Sequence, residues 1–148
     1  MTRLLTAAAT AVSLLGLAAA PALANGKEHY IAIHVDQNDP HVMNMALNNA
    51  KNVEAYYKSK GDSVTVEVVA YGPGLNMLVA GKSPVADRVA QMSLAMDHLR
   101  FSACNNTLQA MQKKVGHPVK LLSEAQVVPS GVVRLTELQE EGYSYVRP

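Results

Sequence analysis

Phe101-Ser102-Ala103-Cys104-Asn105-Asn106-Thr107-Leu108 is where the chain passes from one kind of structure to the other. An apolar, strand-like run from Leu99 to Ala103 leads into Cys104, and a polar, helix-starting run follows at once. Asn105, Asn106 and Thr107 are all residue types whose short side chains satisfy the free N–H groups at a helix start. Leu108, Met111 and Val115 then recur on one helical face. Lys113 and Lys114 suit the negative end of the helix dipole, and Gly116-His117-Pro118 terminates the element.

The same alternation extends outward in both directions. Upstream, Val64-Thr65-Val66-Glu67-Val68-Val69-Ala70-Tyr71 is a β-branched strand cut short by Gly72-Pro73-Gly74, a triplet that forces a turn and lets the backbone approach its surroundings closely. Leu75 to Ala80 reads as a short helix stopped by Gly81. Ser83-Pro84 then predicts a cap and first turn for a helix whose buried face is Val85, Val89, Met92 and Met96. Earlier still, His29 to Val35 reads as a strand, Asp36-Gln37-Asn38-Asp39 as a loop, and Asp39-Pro40 as a capped helix start. Met43, Leu47, Ala50, Val53 and Tyr57 line one side of that helix as core packing, and Gly61 ends it. Downstream, Ala125 to Val128 is a brief strand closed by Pro129-Ser130-Gly131. A helix through Val132, Leu135 and Leu138 stops near Gly142, and Tyr143 to Val146 forms a closing strand.

Strands separated by helices imply an α/β fold with a parallel sheet covered on both faces. Right-handed crossovers then bring every strand-to-helix loop to one edge, outside the carboxyl ends of the strands, where open α/β sheets bind ligands. The loops so gathered are Asp36 to Asp39, Gly72 to Asn76, Cys104 to Thr107 and Pro129 to Gly131. They hold the candidate site residues: Cys104 as nucleophile, with Asp36, Gly72, Asn76, Asn105, Asn106, Thr107 and Ser130 as ligand contacts.

Each has an architectural role to set beside the chemical one. Cys104 at a helix start is either a thiolate stabilised by the dipole or a small buried filler. Asn105, Asn106 and Thr107 are caps as well as possible contacts, Asp36 orders its loop, and Ser130 caps the next helix. Gly72 and Gly74 serve the turn; the full phosphate-binding signature is missing. The five histidines, His29, His34, His41, His98 and His117, pair neither with one another nor with Cys104 at a metal-ligand spacing. Ser130 lacks the Gly-x-Ser-x-Gly context of a hydrolase nucleophile. No metal and no cofactor is therefore expected.

The N-terminus carries a different signal. Met1-Thr2-Arg3 is a short basic start, Leu4 to Ala20 is almost wholly apolar, and Ala22-Leu23-Ala24 is a small-x-small cleavage pattern. These are the three parts of a secretory signal peptide, and cleavage is expected before Asn25. Removal of residues 1–24 leaves 124 of the 148 residues, one domain's worth, with 12 basic and 12 acidic side chains. A near-neutral chain without a basic run argues against nucleic acid, and the mature chain has no second apolar stretch of membrane-spanning length. Its single cysteine excludes an internal disulfide. The expected location is periplasmic or secreted.

Taken as an ordered set, His34-Val35-Asp36, Glu67 to Gly72, Phe101 to Leu108, Val127 to Val132 and Glu141-Gly142-Tyr143-Ser144-Tyr145-Val146-Arg147-Pro148 resemble the DsrE/DsrF-like family, over about Tyr30 to Pro148. The resemblance implies a flavodoxin-like three-layer sandwich with a mostly parallel five-stranded sheet, assembled as a homotrimer or homohexamer. It also implies that Cys104 accepts sulfur as a persulfide and passes it to an acceptor thiol; relatives do so in sulfur oxidation or in thiolation of transfer RNA. The signal peptide separates this chain from those cytoplasmic relays, so transfer RNA is not expected as a partner, whereas a sulfur donor or acceptor protein is. Two readings follow: an exported sulfur-handling protein working through Cys104, or a non-catalytic oligomer that binds a small ligand or a protein at the same edge, with Cys104 simply packed.

Overall fold

A computed structural model describes residues 26–148; the expected signal peptide, residues 1–24, and its cleavage point before Asn25 lie outside the described residues. Five strands, β1 (Glu28–Val35), β2 (Ser63–Ala70), β3 (Leu99–Cys104), β4 (Ala125–Val128) and β5 (Ser144–Val146), form one sheet in the order β4-β3-β2-β1-β5. Every pairing is parallel. The helices are α1 (Pro40–Ser59), α2 (Ala86–Ala95), α3 (Asn105–Val115) and α4 (Gly131–Glu140), with a 3₁₀ segment at Gly72–Leu78.

The direction of travel explains how the faces are filled. From β1 to β4 each step moves the same way across the sheet, and right-handed crossovers then lay all the intervening helices on one face. The core there matches: Ile31, Ile33 and Val35 of β1, Val66 and Val68 of β2 and Phe101 of β3 pack with Met43 and Leu47 of α1, Leu75 and Leu78 of the 3₁₀ segment, Val89 of α2 and Leu108 of α3. The chain from β4 must return past the whole sheet to reach β5, so α4 crosses the opposite face. Alternate residues serve it: Ala32 and Val69 pack against Leu135 and Leu138. The layers are thus three, as expected, but among the described residues the second face carries a single ten-residue helix.

Full burial of a leucine is worth roughly 1.5–3 kcal/mol, so two leucines attach α4 only modestly. A buried ion pair adds to them. Glu67, 2% exposed in β2, accepts from Arg134 Nε at 2.8 Å and Nη2 at 2.8 Å, and from Ser102 Oγ at 2.6 Å. Nothing in the strand pattern around Glu67 signals this partner.

Three local expectations change. The stretch expected as a helix over Leu75 to Ala80 is a 3₁₀ turn that begins earlier, at Gly72. Ser83-Pro84 precedes rather than starts its helix, which begins at Ala86; the Ser83 hydroxyl donates to Met77 O and accepts from Val85 N–H instead. The residue at the N-cap of α3 is Cys104 itself, whose extended backbone (φ −66°, ψ 116°) leaves its sulfur facing the N–H of Thr107.

Candidate functional site

The strand register brings the carboxyl ends level: Val35 pairs with Ala70, Ala70 with Ala103 and Ala103 with Val127. One residue further, Cys104 pairs with Val128. The chain leaves β3 toward one face through α3 and leaves its neighbour β4 toward the other through α4. Adjacent strands whose connections diverge in this way open a crevice between them, and Cys104 stands at its floor with a helix N-terminus on either side.

The sulfur is 5% exposed as a residue and accepts from Thr107 N–H at 3.5 Å. Burial pushes the thiol up, but the polar groups around it outweigh burial: the Thr107 hydroxyl first, then the N–H groups of Gly131, Thr107 and Asn106. Together they hold Cys104 below its ordinary value, favouring the thiolate. The Thr107 hydroxyl is oriented for this by the other side of the crevice. Its oxygen accepts from Gly72 N–H at 2.9 Å, so its own proton is free to turn toward the sulfur. Gly72, at φ 53°, and Thr107 are therefore brought together, although 35 residues separate them.

The other expected residues distribute as follows. Asn106 contributes its backbone N–H, not its side chain, and Asn105 occupies the first helical position. Ser130 stands at the N-cap of α4 without a side-chain capping bond, so the capping expectation for it does not hold. The backbone N–H of its neighbour Gly131 is one of the influences that favour the Cys104 thiolate. Gly131 is required there by space: a Cβ at that position would stand 2.8 Å from Tyr71 Cβ. Asn76 lies away from the sulfur, its amide donating to Pro73 O at 3.1 Å, in a cleft of 410 Å³ that it shares with Gly72 and Thr107.

Asp36 belongs to a second cluster on the same edge. Arg147 pairs with it at 2.7 Å. Beside it, buried His34 in β1 bonds through Nδ1 to the Tyr145 hydroxyl at 2.7 Å and stacks on Tyr71 with ring centroids 4.6 Å apart. His34 Nε2 has no hydrogen-bond partner; the nearest carboxylate oxygen, of Asp36, is 3.9 Å away. Burial lowers the imidazole's pKa; Asp36 opposes this and Arg147 reinforces it. Tyr71 separates this cluster from the thiol. Burial first, and then Asp36, raise its phenol above the ordinary value, so it stays protonated beside Cys104. Sequence reasoning missed Tyr71, Tyr145, Arg147 and Gly131. The aromatic composition of the strand ends is the one sequence signal that could have found the two tyrosines.

Among the described residues, no group of three or more His, Cys, Asp or Glu could hold a metal ion, and no helix is long and apolar enough to cross a membrane. What the arrangement can do is hold one sulfur as an anion, shielded from bulk solvent, at the meeting of two helix starts.

This fold belongs to a known class. The model of the DsrE/DsrF-like family matches residues 31–148, and the chain belongs to that family. A solved structure of MTH1491, a protein of unknown function from Methanobacterium thermoautotrophicum, is similar at 34% identity over 81% of this chain and 99% of that one, with a TM-score of 0.68. No curated protein matches the chain in sequence.

Proposed function

We propose that this is an exported sulfur-handling protein in which Cys104 carries a sulfur atom as a persulfide. The observation that carries the reading is the lone thiol placed between the starts of α3 and α4, its sulfur accepting from Thr107 N–H at 3.5 Å, in surroundings that favour the thiolate. In the first step the Cys104 thiolate attacks the outer sulfur of a persulfide donor, R–S–SH. A new S–S bond forms at Cys104, the donor's S–S bond breaks, and RS⁻ leaves to take a proton from solvent. In the second, an acceptor thiolate attacks the outer sulfur and Cys104 departs as the thiolate; no net oxidant or reductant is consumed. The donors that stabilise the resting thiolate also stabilise it as the leaving group.

Gly72, Asn105, Asn106, Thr107 and Ser130 are the proposed ligand contacts around it, with Asp36 and Asn76 as proposed contacts further out on the same edge. The proposed setting is the periplasm or the extracellular space after cleavage before Asn25, as a homotrimer or homohexamer. Intact-mass measurement of the folded protein after exposure to polysulfide is the test. One added sulfur atom on Cys104, absent from Cys104→Ser, is expected; an unmodified folded protein overturns the proposal.

The 5% exposure of Cys104 favours a second reading, a binding module with a packed cysteine. Alkylation separates the two. Rapid native labelling at mildly acidic pH supports the thiolate, whereas labelling only in denaturant supports the packed residue.

A further inference from the structure

The cleft that Gly72, Asn76 and Thr107 share has a shape and a charge that specify a ligand. Its floor is one face of α3: Thr107, Ala110, Met111 and Lys114 recur at the helical spacing that stacks side chains in a row. Its opposite wall comes from the 3₁₀ segment and the loop after it, which contribute Asn76 and Lys82. Seven residues of helix separate Thr107 from Lys114, a run of about 10 Å.

The row is ordered chemically. At one end stands Thr107, whose backbone N–H lies 3.5 Å from the Cys104 sulfur directly behind the cleft lining. The middle is apolar, with Ala110 and Met111. At the far end Lys82 and Lys114 are the only charged residues lining the cleft, and neither forms an ion pair among the described residues. Asn76 donates one amide hydrogen to Pro73 O and retains a second N–H.

We infer that this cleft binds the body of the sulfur donor, and that the donor is an elongated organic anion. Its terminal sulfur lies at Thr107, its aliphatic middle on Met111, and its carboxylate between Lys82 and Lys114. The inference rests on the sulfur-handling reading for the sulfur end alone; the binding of the anion stands separately. It also distinguishes classes of donor. Inorganic polysulfide is too short to reach both ends, while an organic persulfide about 10 Å long and ending in a carboxylate reaches both.

The test uses the full oligomeric protein with ¹³C-methyl-labelled methionine, in which the Met111 methyl reports occupancy. The probe is 6-(methylthio)hexanoate, which has the length and charge but no transferable sulfur; its uncharged amide is the control. The expected result is a saturable Met111 shift with the carboxylate, weakened about fivefold to tenfold for the amide and for Lys82→Gln/Lys114→Gln, as loss of two exposed charge contacts implies, and weakened by added salt. A Met111 shift that is absent, or equal for acid and amide, overturns the inference. A shift that follows protein concentration and ignores the probe also overturns it, by making the cleft an interface between copies.

A second arm compares the rate of sulfur addition to Cys104 from the persulfides of 6-mercaptohexanoate and 6-mercaptohexanol. Charge-dependent binding with no sulfur on Cys104 from either donor, or from polysulfide, refutes the sulfur-handling reading and leaves the anion site standing. Sulfur uptake at equal rates from both donors refutes the cleft as the seat of the donor and leaves sulfur handling standing.

Discussion

Thr107 is the residue on which the thiol's chemistry turns, because its hydroxyl has two duties. It accepts from Gly72 N–H and so is oriented to donate to Cys104. Thr107→Val keeps the shape and removes both bonds. The midpoint of the Cys104 alkylation rate against pH is expected to move upward, since one of the groups holding the thiol below its ordinary value is gone. Stability is expected to fall by about 1 kcal/mol for the lost hydrogen bond. An unchanged alkylation midpoint would remove Thr107 from the site. Glu67 poses the residue-scale question of stability. Burial alone would raise its pKa, yet the Arg134 guanidinium and the Ser102 hydroxyl win, and the carboxyl lies below its ordinary value. A carboxyl lowered in the folded state stabilises above its unfolded pKa, about 4.3, and that stability is lost as pH falls through the folded value. Arg134→Met leaves the buried charge unpaired and is expected to cost about 3–5 kcal/mol at pH 7. Denaturant unfolding at pH 7 and pH 4 checks the sign: the deficit should narrow at the lower pH, where Glu67 in the variant takes up a proton.

At the scale of elements, α4 is both a structural cover and half of the site. Its first residue has to lie against Tyr71 closely enough for its N–H to reach Cys104, which is why that residue has no Cβ. Gly131→Ala must move either the ring or the helix. Overpacking of this kind costs about 1–3 kcal/mol, and a displaced helix start withdraws one donor from the sulfur. Lower stability in denaturant together with an upward shift of the alkylation midpoint is expected. A loss of stability with no shift would mean that α3 alone sets the thiol. The last strand is positioned from the side: three residues pair with β1, and the Tyr145–His34 and Arg147–Asp36 contacts pin its end. The strand pattern of Tyr143 to Val146 was legible. That Tyr145 would meet His34, 111 residues away, was not, because the alternation of a strand says which side a residue faces and not what stands beside it.

The whole molecule leaves one sheet face thinly covered. Beside α4, a cleft of 290 Å³ reaches Ser102 and Glu67, and Val132 and Val133 of α4 are each more than half exposed. Self-association through this face would bury them, consistent with the trimer or hexamer that the family resemblance implies. Light scattering coupled to size exclusion is expected to give three or six copies, and Val133→Glu is expected to yield smaller species; a wild-type monomer at micromolar concentration would exclude the assembly. The sequence by itself determined the alternation of strands and helices, the positions of the loops and the prominence of Cys104, since propensity, turn residues and periodicity act within a few neighbours. Tertiary structure decided the rest. The direction in which the chain crosses the sheet set α4 on the opposite face and opened the crevice between β3 and β4. That placement brought Gly131 to the sulfur, Gly72 to Thr107 and Arg134 to Glu67. These pairs lie tens of residues apart, and no local pattern encodes a partner that only the path of the chain supplies.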